Sequence, residues 1–458
     1  GAGAAMAAAH GESPGRARRA LVVGGGAAGL AAARGLRRHF RVAVVDAKEY
    51  FEFTPGVLRA YADPARWEAL TFLYHEVLER HLGVRWIWGE VTAIDGDECC
   101  AHVLAAFSRE SETIPYDFCV LAGGCHSNAA AGGSPWSPAV HARVRDAEQS
   151  GLDERYLEGR RRRVVEEHQH LASLQQRRGS VLIVGAGYTG VEFACELQHH
   201  LPGLCITVAD SMERCLEPLP EQAASYCEGY MRRVGIRTVY GHDLRYDPKD
   251  RAFWTRVGLP EGADRTYVLS GVRSSAYFMP KETLSDRGPG GGGWILTNRS
   301  LQVVTRKGVR WGRGVVFAAG DCAASGVGPL PKTCYPAEQQ AAHACRNIRA
   351  LDGVWHGGRG CLRPCGGARL RATWYPWGAG VFVVSLGPRD GCVVSGATEQ
   401  RGSGRVRLRG LPAAALKELI QSTKLAQYRG SHSLSSLVWH LVHHCPVNLA
   451  GRGPLCAC

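Results

Sequence analysis

The 458-residue sequence predicts an α/β fold with two Rossmann-like dinucleotide-binding domains and a smaller C-terminal domain bearing amphipathic helices. Two observations predict it. The succession apolar strand, glycine-rich turn, helix, second strand, terminal acid occurs twice, with the turns beginning at Gly24 and Gly185. A hydrophobic fraction of 45% with 21% charged residues belongs to a globular chain and excludes global disorder. The length suits roughly two to four domains. The first nucleotide domain reads as discontinuous, 18–145 and 288–350, with the second, 178–287, inserted after a connecting helix at 146–177. Residues 351–458 form the C-terminal domain.

Residues 1–19 are rich in Ala, Gly and Arg with one acid, Glu12, as in the remnant of a transit peptide. Ala20–Val23 is a short apolar run, read as a buried parallel strand. Gly24 to Gly29 spells GxGxxG, Leu30–Leu36 continues as a helix, and Arg41–Asp46 is a second strand ending in an acid. Each part has a task. Gly24 makes the tight turn, Gly26 leaves room for a pyrophosphate, and Gly29 lets helix and strand pack closely. The helix N-terminus offers unpaired N–H groups to the phosphates. Asp46, 17 residues past Gly29, is placed to accept from ribose hydroxyls.

Arg160–Arg163 with Glu166 and Glu167 reads as a solvated helix joining the two domains. Ser180–Val184, Gly185 to Gly190, Val191–Leu197 and Cys205–Asp210 then repeat the first module part for part. Gly288 to Gly293 reads as a flexible connection. Two dinucleotides in one chain make chemical sense when one passes electrons to the other. A nicotinamide delivers a hydride, and a flavin takes two electrons and hands them on. The expected cofactors are therefore FAD and NADH, with the rings stacked between the domains. Such a transfer needs contact and the exclusion of water rather than a protein acid or base. No Ser/His/Asp or paired-carboxylate constellation is apparent in the sequence.

These modules resemble the two-dinucleotide-binding flavoprotein superfamily. Tyr116–Gly124 resembles its strand ending beside FAD, with Gly123 in place of Thr. Ala263–Val272 resembles the strand closing the NAD domain. Val315–Asp321 resembles the second FAD fingerprint, and Lys332–Gln340 opens a helix that reaches the flavin in this family. Disulfide reductases of the superfamily carry a CxxxxC pair near the first module, but residues 47–98 hold no Cys. Sulfide:quinone reductases match Leu330–Thr333 with Tyr335, yet they place a catalytic Cys where this chain keeps an intact glycine turn. Cys195 reads as core-facing; Cys125 and Cys334 are candidates for a place near the flavin. The fullest resemblance is to type II NADH dehydrogenases and apoptosis-inducing-factor-like quinone reductases, through Gly190–Leu197, Ala337 and Gln339-Gln340. Tyr335 stands where their Gln is usual, and Trp377–Gly387 resembles the opening strand of their C-terminal domain.

The resemblance implies FAD at Gly24, Gly26, Ala28, Gly29, Asp46, Lys48, Val91, Ala122, Gly124, Gly320, Asp321 and Ala337. It implies NADH at Gly185, Gly187, Tyr188, Gly190, Asp210 and Gly271, and a quinone at Tyr335, Gln339 and Gln340. Glu192 is expected at the nicotinamide–flavin edge and Lys332 beside the flavin or a quinone oxygen. Asp210 favours NADH by repelling a 2′-phosphate, whereas nearby Arg214 favours NADPH.

The implied activity is non-electrogenic NADH:quinone oxidoreduction. The alternatives are a sulfide:quinone oxidoreductase and a redox-responsive flavoprotein subunit. A quinone acceptor implies contact with a bilayer. Leu434, Leu437, Val438, Leu441 and Val442 form one apolar helix face, flanked by Trp439, His440, His443 and His444, and Leu416, Leu419 and Ile420 suggest another upstream. An organellar peripheral-membrane location and a homodimer follow from the resemblance alone. No stretch approaches the length of a membrane span. The net charge of +13 rests on 48 Arg and 7 Lys spread along the chain, which does not point to nucleic acid. The 17 Cys have no zinc or haem spacing, so no metal is expected and they read as reduced, small apolar residues.

Overall fold

The computed structural model describes residues 17–127 apart from 107 and 109, then 153–324, 332–356, 370, 380–397 and 402–430. The first module is β1 (Arg19–Val23), α1 (Ala27–Leu36) and β2 (Arg41–Asp46). After α2 (Thr54–Ala62) come β3 (Arg85–Asp95), β4 (Cys100–Ala105) and β5 (Ser111–Pro115), then β6 (Phe118–Leu121) and β7 (Cys125–Ser127). A long helix, α3 (Leu157–Gln176), leads to the second module, β8 (Ser180–Val184), α4 (Tyr188–His200) and β9 (Cys205–Asp210). It continues through α5 (Glu221–Arg233), β10 (Arg237–Tyr240), β11 (Arg265–Val268) and β12 (Val272–Ser274). β13 (Val316–Ala318) and α6 (Cys334–His356) follow, then β14 (Gly380–Ser385), β15 (Gly391–Ala397), β16 (Arg405–Arg409) and α7 (Leu411–Arg429).

Two nucleotide-fold sheets result. The larger has the order β13-β6-β1-β2-β3-β4-β5, and the smaller β10-β9-β8-β11. β13 enters the larger sheet beside β6 from nearly two hundred residues downstream, so the second module is an excursion between two pieces of one sheet. Ala20, Leu21, Val22 and Val23 are all buried, as expected of a parallel strand covered on both faces. α1 packs on α6 through small side chains: the Cys345 thiol reaches Ala32 O at 3.6 Å, and a methyl group on Gly35 would come within 2.9 Å of that sulfur. The described cysteines are free thiols and most are buried, including Cys195.

Two expectations are corrected here. Arg160 lies on α3 but is not solvated: its side chain is 1% exposed and donates to Glu52 at 2.9 Å and Glu154 at 2.6 Å. Burying one cation between two carboxylates docks α3 on the first domain. Gly288 to Gly293 is a shaped turn rather than a loose link, with φ positive at Gly288, Gly290, Gly291, Gly292 and Gly293. A side chain on Gly288 would meet the Trp294 ring at 2.9 Å, and the Trp294 indole donates to Pro289 O at 3.0 Å. Residues 434–444, with their expected amphipathic face, lie outside the described residues, as do Leu330 and Trp377. Among the described residues, no helix is long and apolar enough to cross a membrane.

Candidate functional site

The two glycine turns are built alike. Gly24 N donates to Val45 O and Gly185 N to Ala209 O, both at 2.7 Å, which anchors each turn to the neighbouring strand. A Cβ on Gly29 or Gly190 would sit 1.8 Å from the carbonyl oxygen of Gly24 or Gly185, so helix and turn meet backbone to backbone. The middle glycines differ in kind: a Cβ on Gly26 or Gly187 would meet nothing within 4 Å. Each middle glycine is also the N-cap of its helix without a side-chain cap, so the first helical N–H groups face that opening. Two concave, donor-lined turns of this form fit the pyrophosphates of two dinucleotides.

The acids at the strand ends do more than expected. Asp46 accepts from Gly25 N at 2.6 Å and Lys48 N at 2.8 Å, and Asp210 from Ala186 N at 2.5 Å and Met212 N at 2.9 Å. Each carboxylate thus braces its own turn while keeping lone pairs free, since a carboxylate offers about four acceptor sites. Tyr74 is an unforeseen partner. Its hydroxyl bonds Asp46, its ring would touch a Cβ on Gly25 at 2.6 Å, and burial raises its phenol well above the usual range.

A second cluster, just past the edge strand β13, meets the first site. A Cβ on Gly320 would lie 3.1 Å from that of Ala28 and 3.2 Å from that of Ala337, so three residues expected at FAD share one narrow space. Beside them, burial pushes the Asp321 carboxyl up to about 6, against the opposing charge of Lys332. The Cys125 thiol donates to Asp321 at 3.9 Å, and burial raises that thiol well above its usual range. Lys332 donates to Ala323 O at 2.7 Å and lies 4.3 Å from the centre of the Trp294 ring. Burial lowers its ammonium pKa, with Asp321 opposing. Lys332 is therefore a half-buried cation seated beside Asp321. Trp294, held by the Gly288–Gly293 turn, is the floor beneath it.

The two sites are physically joined. β7, just past Gly124, pairs antiparallel with β12, just past Gly271, in the register Ser127 to Val272. Ser275 N donates to Gly124 O at 3.1 Å, and His126 bonds Ser275 at 3.1 Å.

At the second turn, Tyr188 stacks on Phe382 of β14 with centroids 5.7 Å apart and planes 11° off parallel. Glu192 is 6% exposed and accepts from Ser385 N at 2.9 Å and from Lys417 at 2.5 Å. One terminal nitrogen of Arg214 donates to Glu217 O at 2.9 Å and Leu219 O at 2.8 Å, within its own loop.

Other expected residues lie less centrally. The Lys48 ammonium is 5.1 Å from the Tyr50 ring centre. The Val91 side chain is buried in the core, and Val91 pairs with Val103 of β4. Tyr335 and Gln339 are exposed and bond each other on one helix face. Gln340 is not with them. It is 4% exposed, and its side-chain oxygen accepts from Gly320 N at 2.7 Å. The physical reason is helical: positions 335 and 339 are four apart and share a face, whereas 340 lies about 100° further round. Cys334 bonds the Tyr428 hydroxyl at 3.1 Å, and burial pushes its thiol up to about 12. Among the described residues, no cluster of His, Cys, Asp and Glu could hold a metal.

The family described as pyridine nucleotide-disulphide oxidoreductase matches residues 18–341. An oxidoreductase of Ajellomyces capsulatus is 25% identical over 160 residues, 34% of this chain, and the match spans only 30% of that relative. A type II NADH:quinone oxidoreductase of Staphylococcus saprophyticus is 23% identical over 360 residues, covering 73% of this chain and 82% of that one. Among solved structures, the sulfide:quinone oxidoreductase of Aquifex aeolicus superposes with a TM-score of 0.64 at 17% identity, over 93% of this chain and 95% of that one. NDH2 of Plasmodium falciparum in complex with NADH gives 0.63 at 11% identity, over 91% and 96%. At such identities the structural likeness shows the fold.

Proposed function

This chain belongs to the pyridine nucleotide-disulphide oxidoreductase family, and we propose that, as a flavin oxidoreductase binding FAD and NAD(H), it oxidises NADH and reduces a quinone without pumping protons. The observation that carries the reading is the pair of like-built glycine turns whose downstream segments are tied together through β7 and β12. The domain division proposed is 18–145 with 288–350 for FAD, 178–287 for NADH, and 351–458 as a C-terminal unit.

Gly24, Gly26 and Gly29 would cradle the FAD pyrophosphate, while Ala28, Gly320 and Ala337 leave the space its linker needs. Asp46 keeps acceptor capacity for the adenosine ribose, and Asp321 sits where the second fingerprint meets the flavin. Bound FAD would supply the two-electron exchange that side chains cannot. Lys332 holds a positive charge at that end of the cleft, and Trp294 fixes its ammonium. At the second turn, Gly185, Gly187 and Gly190 would take the NADH pyrophosphate. Asp210 would repel a 2′-phosphate, and one terminal nitrogen of Arg214 is committed to carbonyls of its own loop, which favours NADH over NADPH. Tyr335 and Gln339, exposed on α6, are the residues proposed to meet a quinone.

Quinone as acceptor draws on the staphylococcal relative's name. An amphipathic quinone would bring the protein to a membrane surface, where α7 offers exposed Leu411 and Leu419. An organellar location and a homodimer complete the proposal. The sulfide alternative needs a nucleophilic thiolate, but burial holds the Cys125 thiol above the range in which one forms at neutral pH. A steady-state assay offering a short-chain quinone, oxygen or sulfide tests the reading. The expected result is NADH oxidation that depends on quinone. Turnover of sulfide without NADH would replace the reading.

A further inference from the structure

The geometry points to Lys417, on the C-terminal helix α7, as a positioning residue that aims Glu192 at the nicotinamide end of the second cleft. This rests on reading the Gly185 turn as the NADH site.

Glu192 stands one turn inside α4, behind the open space over Gly187. Both of its described donors converge on the same oxygen: Lys417 Nζ reaches Oε1 at 2.5 Å and Ser385 N reaches it at 2.9 Å. Lys417 is itself fixed, because it also donates to Val383 O at 3.2 Å. The pair is well enclosed, with Lys417 16% and Glu192 8% exposed at the side chain. A carboxylate gripped twice through one oxygen has a set orientation. Its other oxygen, Oε2, takes no donor among the described residues. A nicotinamide carboxamide offers the N–H donors that such an oxygen accepts, with the added strength of a charged acceptor.

The same strand carries a second contact to this turn. Phe382 of β14 stacks on Tyr188, so β14 supplies the ring, the Val383 carbonyl and the Ser385 amide, while α7 supplies the cation. The C-terminal unit thus supports the turn that would hold the nicotinamide half of the dinucleotide, from 225 residues downstream of Glu192. An ion pair serving stability alone predicts something different. Replacing the lysine would then act on the whole domain, without regard to which half of a ligand is present.

The test uses calorimetric titration of the flavin-loaded protein with NAD+ and with ADP-ribose, which lacks the nicotinamide. The wild-type chain is expected to bind NAD+ more tightly. K417Q should weaken NAD+ about tenfold and leave ADP-ribose unchanged. E192Q should show the same pattern, and the double variant no further loss, because the two residues act as one unit. K417R, which keeps the charge, should recover part of the NAD+ affinity. K417M keeps the packing of the stem and is read in the same way should K417Q not fold. Equal weakening of both ligands, or of neither, would overturn the assignment of Lys417. Failure of the wild-type chain to bind either ligand would overturn the nucleotide reading of the second turn itself.

Discussion

Gly187 and Gly190 lie three residues apart and fail in opposite ways when substituted. A side chain at Gly187 enters open space, so G187V should keep its thermal midpoint and lose most of its affinity for NAD+. A methyl at Gly190 meets the Gly185 carbonyl oxygen at 1.8 Å, so G190A should cost about 1–3 kcal/mol of stability as overpacking. Paired melting and titration curves separate the two, and equal loss of stability in both variants would contradict the geometry. Asp321 makes a pH prediction. Burial lifts its carboxyl pKa to about 6, above the unfolded value, so between those two values the folded chain holds a proton that the unfolded chain releases. Stability should therefore fall as pH rises through that window and level off above it, by roughly 3 kcal/mol at most. D321N removes this slope. Urea unfolding at about pH 4.5 and about pH 7.5 should show the variant gaining on the wild type at the higher pH, and a constant difference would contradict the shift. These glycines and acids were legible in the sequence because their spacing encodes backbone geometry. Tyr74 and Lys417 were not legible, because each reaches its site across the fold from a segment without a local motif, and Trp294 was not, because the glycine run before it read as a flexible connection.

At the scale of elements, α3 shows where pattern reading stops. Four consecutive arginines look like a solvated face, yet Arg160 turns inward to Glu52 and Glu154 while Arg161 stays half exposed. One helical position differs from the next by about 100°, and the partners of Arg160 come from other segments. Removing one member of such a buried pair leaves an uncompensated charge, so R160A should cost about 3–5 kcal/mol. A loss below about 1 kcal/mol in chemical denaturation would mean that the pair does not dock α3. α6 makes the same point in the other direction. Its sequence grouped Gln339 with Gln340, but the helix sends the first to the surface and the second to Gly320 N. Q340L should therefore weaken flavin retention, whereas Q339L should leave retention intact and raise the KM for quinone. Loss of flavin from Q339L alone would reverse that assignment.

For the whole molecule, the order of the modules made the α/β class readable, since strand, turn, helix and acid recur with little variation. The antiparallel strands β4 and β5 and the strands β15 and β16 carried no comparable signature, whereas β14 lies where the resemblance of Trp377–Gly387 put a strand. The consequence is functional: the C-terminal unit touches Glu192 and Tyr188 at the second turn, far from them in sequence. The central claim is that reducing equivalents pass between two nucleotides held in joined clefts. Anaerobic addition of one equivalent of NADH to the purified protein tests it most directly. The account predicts a yellow protein whose visible flavin absorbance bleaches with NADH and returns when a short-chain quinone is added. A colourless protein that releases no flavin on denaturation, or a flavin spectrum unmoved by NADH, would contradict it.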